Sequence, residues 1–229
     1  MLPLAERAKH APTSLKLTGA GIKIEAEAVV STDVRGSIAL AAHQNAASGI
    51  EIQGRLEAAA GKISLAAQGQ TIHLGASASL LARGAAIIEV DGSGHRSGMV
   101  LDGGSVTMDA GFVALDAGSL IDVSGTAATI DLPGGNSLQQ RKAEPVTIAS
   151  DGATITVAGQ GMIANTWRGN AGGAGARGGR IALGSVASGP VIVSGHGFGR
   201  RRLDPASISL AEWRLPRLRR FVEPAPGEC

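Results

Sequence analysis

Five aspartates, Asp102, Asp109, Asp116, Asp122 and Asp131, recur at spacings of 7, 7, 6 and 9 residues. Acids stacked on neighbouring strands can hold Ca²⁺ beside a basic side chain that takes a proton from an acidic sugar, the chemistry of polyuronate cleavage. Most of these aspartates border Gly or Ala where strands should end, and there an Asx turn accounts for them without catalysis. The calcium-binding nonapeptide pattern GGxGxDxUx is absent. The expectation is a set of turn and surface acids, not a metal centre.

The remaining chemistry-bearing residues point the same way. His10, His43, His73, His95 and His196 show neither HxxxH nor HExxH spacing, so no zinc site is expected. His95-Arg96, within VDGSGHRSG, reads as a solvated turn, and Ser124 in DVSG lacks the strand–turn–helix context of an activated nucleophile. Gly173-Ala-Gly175-Ala-Arg-Gly178 matches GxGxxG in form, but it precedes a strand instead of opening a helix, and no acid follows before Asp204. The single cysteine, Cys229, provides no intrachain disulfide, Cys-based zinc site or buried thiol nucleophile. Trp167 is the only tryptophan before residue 199 that could stack on a sugar, and no RGD tripeptide occurs. The sequence therefore predicts no catalytic, metal or cofactor residues and no enzyme activity. The one candidate binding patch is the tail set Arg200, Arg201, Arg202, Arg214, Arg217, Arg219 and Arg220 around Trp213, which suits an anionic partner such as a sulfated glycan or a nucleic acid. An irregular end with no ligand is the plainer reading of the same residues.

The elements that would carry such residues are short strands. Over residues 15–193 an aliphatic, any residue and a second aliphatic recur: Ile22-Lys-Ile24, Ile38-Ala-Leu40, Ile50-Glu-Ile52, Ile63-Ser-Leu65, Ile72-His-Leu74, Val106-Thr-Met108 and others, bounded by Gly, Asp, Asn and Ser. A step of 25 from Ile38 reaches Ile63, Ile88, Val113, Leu138 and Ile163. The same step two residues earlier reaches Gly36, Gly61, Ala86, Gly111, Asn136 and Gly161. Ile121 with Val146, Val123 with Ile148, and Ile130 with Ile155 repeat it. The fold expected is all-β, a right-handed parallel β-helix (β-solenoid) of about 25-residue coils, with aliphatic ladders inside and strands ~4.8 Å apart. An antiparallel sandwich gives no reason for a fixed column. Seven coils would rise roughly 35 Å. The segment from Pro133 to Pro145 should loop out, and Thr166 to Gly179 should form a Gly-rich excursion. The domain division expected is residues 1–14 as an irregular cap, 15–198 as a shaft, and 199–229 as a basic, irregular or short-helical tail.

Composition fits a thin core. Gly makes up 34 of 229 residues, and aromatic residues only 2%, with three Phe, two Trp and no Tyr. A conventional enzyme core uses large rings and bulky aliphatics to fill its centre, and this chain has few rings. The formal net charge is +2, and the excess of cations lies beyond residue 198, so the body carries no footprint for a specific nucleic acid. No apolar run reaches the ~18 residues of a membrane span, and the opening MLPLAERAKHAP lacks the apolar middle of a signal peptide.

GGSVTMDAGFVALDAGSLIDVSG (Gly103–Gly125), VTIASDGATITVAGQGMI (Val146–Ile163) and GNAGGAGARGGRIAL (Gly169–Leu183) resemble coil units of the filamentous haemagglutinin family, the large exoproteins of two-partner secretion. The resemblance covers residues 100–195 best, is weaker over 15–99 and stops at 199. It implies a secreted, surface-associated bacterial β-helix shaft acting in adhesion or contact-dependent competition. Its partners would be the other coils of a parent exoprotein, an outer-membrane transporter, and glycans or receptors on a host surface. The family's amino-terminal secretion signatures are missing, and no Asn-Pro dipeptide occurs, so the chain resembles an internal or carboxy-terminal piece of such a protein. The alternative expectation is a secreted β-helix protein that binds or cleaves polysaccharide.

Overall fold

The structure is a computed structural model that describes residues 11–43, 49–133, 143–163, 166–184 and 191–193. Every regular element among them is a strand. The chain opens with three strands in succession, β1 (Ser14–Gly19), β2 (Ile22–Ile24) and β3 (Val29–Ser31), and repeats them as β4 (Ser37–Ala42), β5 (Ile50–Ile52) and β6 (Arg55–Glu57). In the next rounds the first two strands fuse. β7 (Lys62–Leu74) is followed by β8 (Ser79–Leu81) and by the pair β9 (Ala85–Val90) and β10 (Arg96–Leu101). β11 (Ser105–Leu115) is followed by β12 (Leu120–Asp122) and by β13 (Ala127–Pro133) and β14 (Ala143–Ala149). β15 (Thr154–Ile163), β16 (Thr166–Arg168), β17 (Arg180–Gly184) and β18 (Val191–Val193) complete the order.

Like members pair in parallel. The path β1-β4-β7-β11-β15-β17 joins six strands, and β2, β5 and β18 extend the same sheet to nine. A second sheet, also parallel, runs β16-β12-β8-β6-β3. Register brings identical roles together: Leu15, Ile38, Ile63, Val106, Ile155 and Ile181 form one column, and Leu17, Leu40, Leu65, Met108, Val157 and Leu183 form another. Ile22, Ile50, Ile72 and Val113 line up along the second half of the large sheet. Val30, Leu56, Leu80, Ile121 and Trp167 do so in the smaller one. In β7 and β11 the larger apolar residues Ile, Val, Leu and Met alternate with polar or small ones, so one side of each ladder faces inward. Ile38, Ile52, Leu56, Ile63, Leu65, Ile72, Leu74, Leu80 and Met108 are fully buried in a single cluster. Each such Ile or Leu contributes about 1.5–3 kcal/mol by leaving water.

Glycine makes the corners possible. A Cβ at Gly61 would collide with the carbonyl oxygen of Gly36, and one at Gly104 with that of Gly61. Lys62 N–H donates to Gly36 and Ser105 N–H to Gly61 across the same column, so the backbones of successive rounds touch where a side chain would stand.

The expectation of an all-β, mainly parallel chain agrees with this architecture. The 25-residue register does not persist. Ile63 pairs with Val106, not Ile88, and Val113 pairs with Ile72. Ile88 instead lies opposite Gly98 in an antiparallel hairpin, β9–β10. A second antiparallel hairpin, β13–β14, sets Val146 against Ile130 and Ile148 against Ala128, so the expected pairs Ile121 with Val146, Val123 with Ile148 and Ile130 with Ile155 do not form. The cause is length. The step from Ile63 to Val106 spans 43 residues, of which residues 85–102 account for 18; that from Val106 to Ile155 spans 49, of which residues 127–150 account for 24. Removing either excursion restores a step of 25. Strand alternation inside the hairpins supplied aliphatics at the expected spacing. Residues Thr166–Arg168 also depart from the expected Gly-rich excursion: they are strand β16, and Trp167 packs against the core.

Candidate functional site

The parallel ladders place a band of polar side chains on the outer face of β2, β5 and β7, and β11 continues the column with Ala114. In each aliphatic-x-aliphatic triple the outer residue is the middle one, so Lys23, Glu51 and His73 stand in one column. Glu25, Gln53 and Asp116 lie at the strand ends beside them, joined to neighbouring rounds through Gln53 N–H to the Ile24 carbonyl and Asp116 N–H to the Leu74 carbonyl. Gly21, Ile22, Lys23, Gly49, Ile50, Glu51, Thr71 and His73 line an open groove of about 410 Å³. Phe112, which pairs with Thr71 in register, is 45% exposed at the end of this band.

The band is internally paired. Lys23 Nζ meets Glu25 Oε1 at 3.1 Å, and this hydrogen bond, with the charges of Glu25 and Glu51, raises the lysine pKa above its usual value. Gln53 Nε2 donates to Glu51 Oε1 at 2.7 Å. His73 Nε2 lies 3.0 Å from Asp116 Oδ2. An imidazole oriented by a carboxylate can serve as a base, yet no described hydroxyl lies within hydrogen-bond reach of His73 to act as a nucleophile. Three carboxylates against one ammonium make the face acidic, which suits hydroxyl-bearing or cationic ligands and disfavours polyanions.

A second cluster ties the hairpins together. Arg96 donates from Nη2 to Asp131 Oδ1 at 3.0 Å and from its backbone N–H to Oδ2 at 2.6 Å, so a residue of β10 holds one of β13 from two directions. These donors pull the Asp131 carboxyl below the ordinary aspartate range, and Asp131 in turn raises the Arg96 pKa. At the tip of the first hairpin, Asp91 Oδ1 accepts the backbone N–H groups of Ser93 and His95, which lower the Asp91 pKa and close the turn.

The five spaced aspartates do not converge. Asp102 Oδ1 accepts Asp151 N–H at 2.9 Å, and Asp151 Oδ1 accepts Arg177 N–H at 2.7 Å, so both cap backbone where the chain returns from its excursions. Asp122 is buried, accepting Ser124 N–H at 3.0 Å with the Arg83 guanidinium 3.9 Å away. Asp116 faces His73, and Asp131 faces Arg96. Asp109 takes the surface role and not the turn: it sits inside β11, half-exposed. No group of three or more His, Cys, Asp or Glu side chains able to hold a metal ion occurs among the described residues. Ser124 Oγ accepts Asn170 N–H, and within Gly173–Gly178 a turn is closed by Ala176 N–H on the Gly173 carbonyl, with Gly175 at φ +85°. His10, His196, Trp213 and the seven tail arginines, Arg200, Arg201, Arg202, Arg214, Arg217, Arg219 and Arg220, lie outside the described residues.

The outer band was not singled out from sequence. Its signal was present in the middle residues of IKI, IEI and IHL, but these triples are 28 and 22 residues apart, and a search at 25 separates them. No helix among the described residues is long and apolar enough to cross a membrane. No family model, curated protein or solved structure matches the chain.

Proposed function

We propose that the chain is a right-handed β-helical shaft segment of a secreted adhesin like the filamentous haemagglutinins, with no catalysis of its own. The observation that carries the reading is the column Leu15–Ile38–Ile63–Val106–Ile155–Ile181, in which like residues stack through six parallel strands. Such a ladder extends by repetition alone, which is what a shaft needs. The hairpins project from one corner: Gly84 N–H bonds the Ser124 carbonyl and Gly125 N–H that of Asn170, so the two excursions and the Gly-rich segment after β16 leave at equivalent positions. Projections fixed at one corner give a shaft a defined side for contacting a surface.

A second reading, polysaccharide binding or cleavage, is favoured by one observation, the groove flanked by Glu51 and His73 near the exposed ring of Phe112. One experiment separates the two. The chain is fused behind a two-partner secretion domain, co-expressed with the matching transporter, and assayed both for export and for release of reducing ends from neutral polysaccharides with and without Ca²⁺. The shaft reading expects export into a protease-resistant β core and no product. Retention inside the cell overturns it, and metal-dependent product formation replaces it with the second reading.

A further inference from the structure

Among the described residues β1 pairs only with β4, and β17 only with β15. The consequence is visible in the columns. Leu17 is 39% exposed, whereas Leu40, Leu65 and Met108 in the same column are 0–1% exposed. Ile181 is 49% exposed, whereas Ile38, Ile63, Val106 and Ile155 are at most 1%. A parallel edge with unpaired N–H and C=O groups over a half-bare apolar column is a template for another strand.

We propose that these two edges bind each other between molecules, so that a second copy of this chain docks head to tail, β1 of one copy beside β17 of the next. Three features select that occupant. The two strands are opposite edges of one all-parallel path, so translation along the stacking direction brings them together in the parallel sense already used throughout the sheet. Their columns match: Leu15 and Leu17 would take the places that follow Ile181 and Leu183, continuing both aliphatic ladders. The outward residues do not conflict, since this register sets Ser14 beside Arg180 and Lys16 beside Ala182, with no like charges opposed. A like-with-like contact, β1 on β1, would reverse the strand direction and break the register. Because the docking surfaces differ, each junction leaves one free edge of each kind, and association is open-ended instead of stopping at a dimer.

The inference rests on the ladder reading given above but can fail without it. The test uses the full chain and two variants, Leu17→Glu and Ile181→Glu, each altering a side chain already well exposed. Mass is measured by light scattering over a wide concentration range, with circular dichroism as the folding control. The wild type should grow in mass with concentration beyond the dimer. Each variant alone should stay monomeric, because every junction needs both edges. Mixed, the two should form a 1:1 dimer and nothing larger, since one supplies an intact β1 edge and the other an intact β17 edge. A wild type that is folded and monomeric throughout overturns the docking, whether its own terminal residues cover the edges or nothing does, and leaves the ladders standing. A single variant that still associates, or a mixture that remains two monomers, overturns it as well. Loss of the β spectrum in the wild type would instead count against the ladder reading itself.

Discussion

Ile63 and Ile88 are the same residue type, 25 positions apart, and their surroundings differ completely. Ile63 is buried between Ile38 and Val106, while Ile88 lies half-exposed on a projecting hairpin. Replacing Ile63 with Asp buries a charge with no partner, an effect of about 4 kcal/mol or more that should abolish cooperative folding. Ile88→Asp can turn its carboxylate toward water and should cost far less. Thermal denaturation of both variants checks this, and equal losses would restore the uninterrupted 25-residue column. The comparison also marks what could be read from sequence. Ile63 was legible as a ladder residue because its own strand alternates and its preceding partner lies one plain step away. Ile88 was not, because alternation looks the same in a parallel rung and in a hairpin. His73 and Asp116 were illegible as a pair for a further reason: they are 43 residues apart, and only the inserted hairpin explains why they meet.

At the level of elements, the two hairpins behave as additions to corners that other rounds close tightly. Gly36 N–H bonds the Asp33 carbonyl, and Gly61 N–H bonds that of Ala58, each closing a short turn; Gly104 N–H bonds the Ala82 carbonyl in the same way, with the first hairpin lying between them. Deleting residues 85–102 should therefore join Gly84 to Gly103 across a corner already shaped for it. The expected product keeps its parallel sheets, as read by hydrogen exchange of β7 and β11, and loses the exposed lobe together with the Asp102 cap on Asp151 N–H and the Arg96–Asp131 pair. Loss of protection throughout β7 would show that the hairpin supports the core. Contact between the lobes adds a pH signature. The Asp131 carboxyl is held below its usual range by Arg96, so its contribution is present above the unfolded aspartate pKa of about 3.9 and disappears as pH falls through the lower folded value. In Asp131→Asn this acid-dependent part should vanish: the variant should be less stable than wild type near neutrality, and the two should converge in strong acid. Parallel stability curves across that range would exclude the pair as the source. The strands were legible from their triples and two corners from Gly36 and Gly61, whereas Arg35 and Ala60, which adopt φ of 68° and 50° just before those glycines, carried no such mark.

For the whole molecule, composition announced a narrow interior and pattern announced parallel ladders, but neither could say how many residues leave the ladders and return. Six strands along the main path rise about 24 Å at ~4.8 Å per step, shorter than the length of chain alone suggests. The surplus went sideways. That diversion has a kinetic consequence. Rungs such as β4 on β7 close over 25 residues, whereas β7 on β11 and β11 on β15 must close over 43 and 49. A hairpin forms in about 1–10 μs from contacts near in sequence. Once zipped, it shortens the distance its flanking strands must search, from the full separation to little more than a plain round. The lateral lobes thus assist the rungs above them, each lowering the closure cost of its round by about 0.5 kcal/mol. Assembly should then run outward from the uninterrupted amino-terminal rounds, the order in which a ribosome would deliver them.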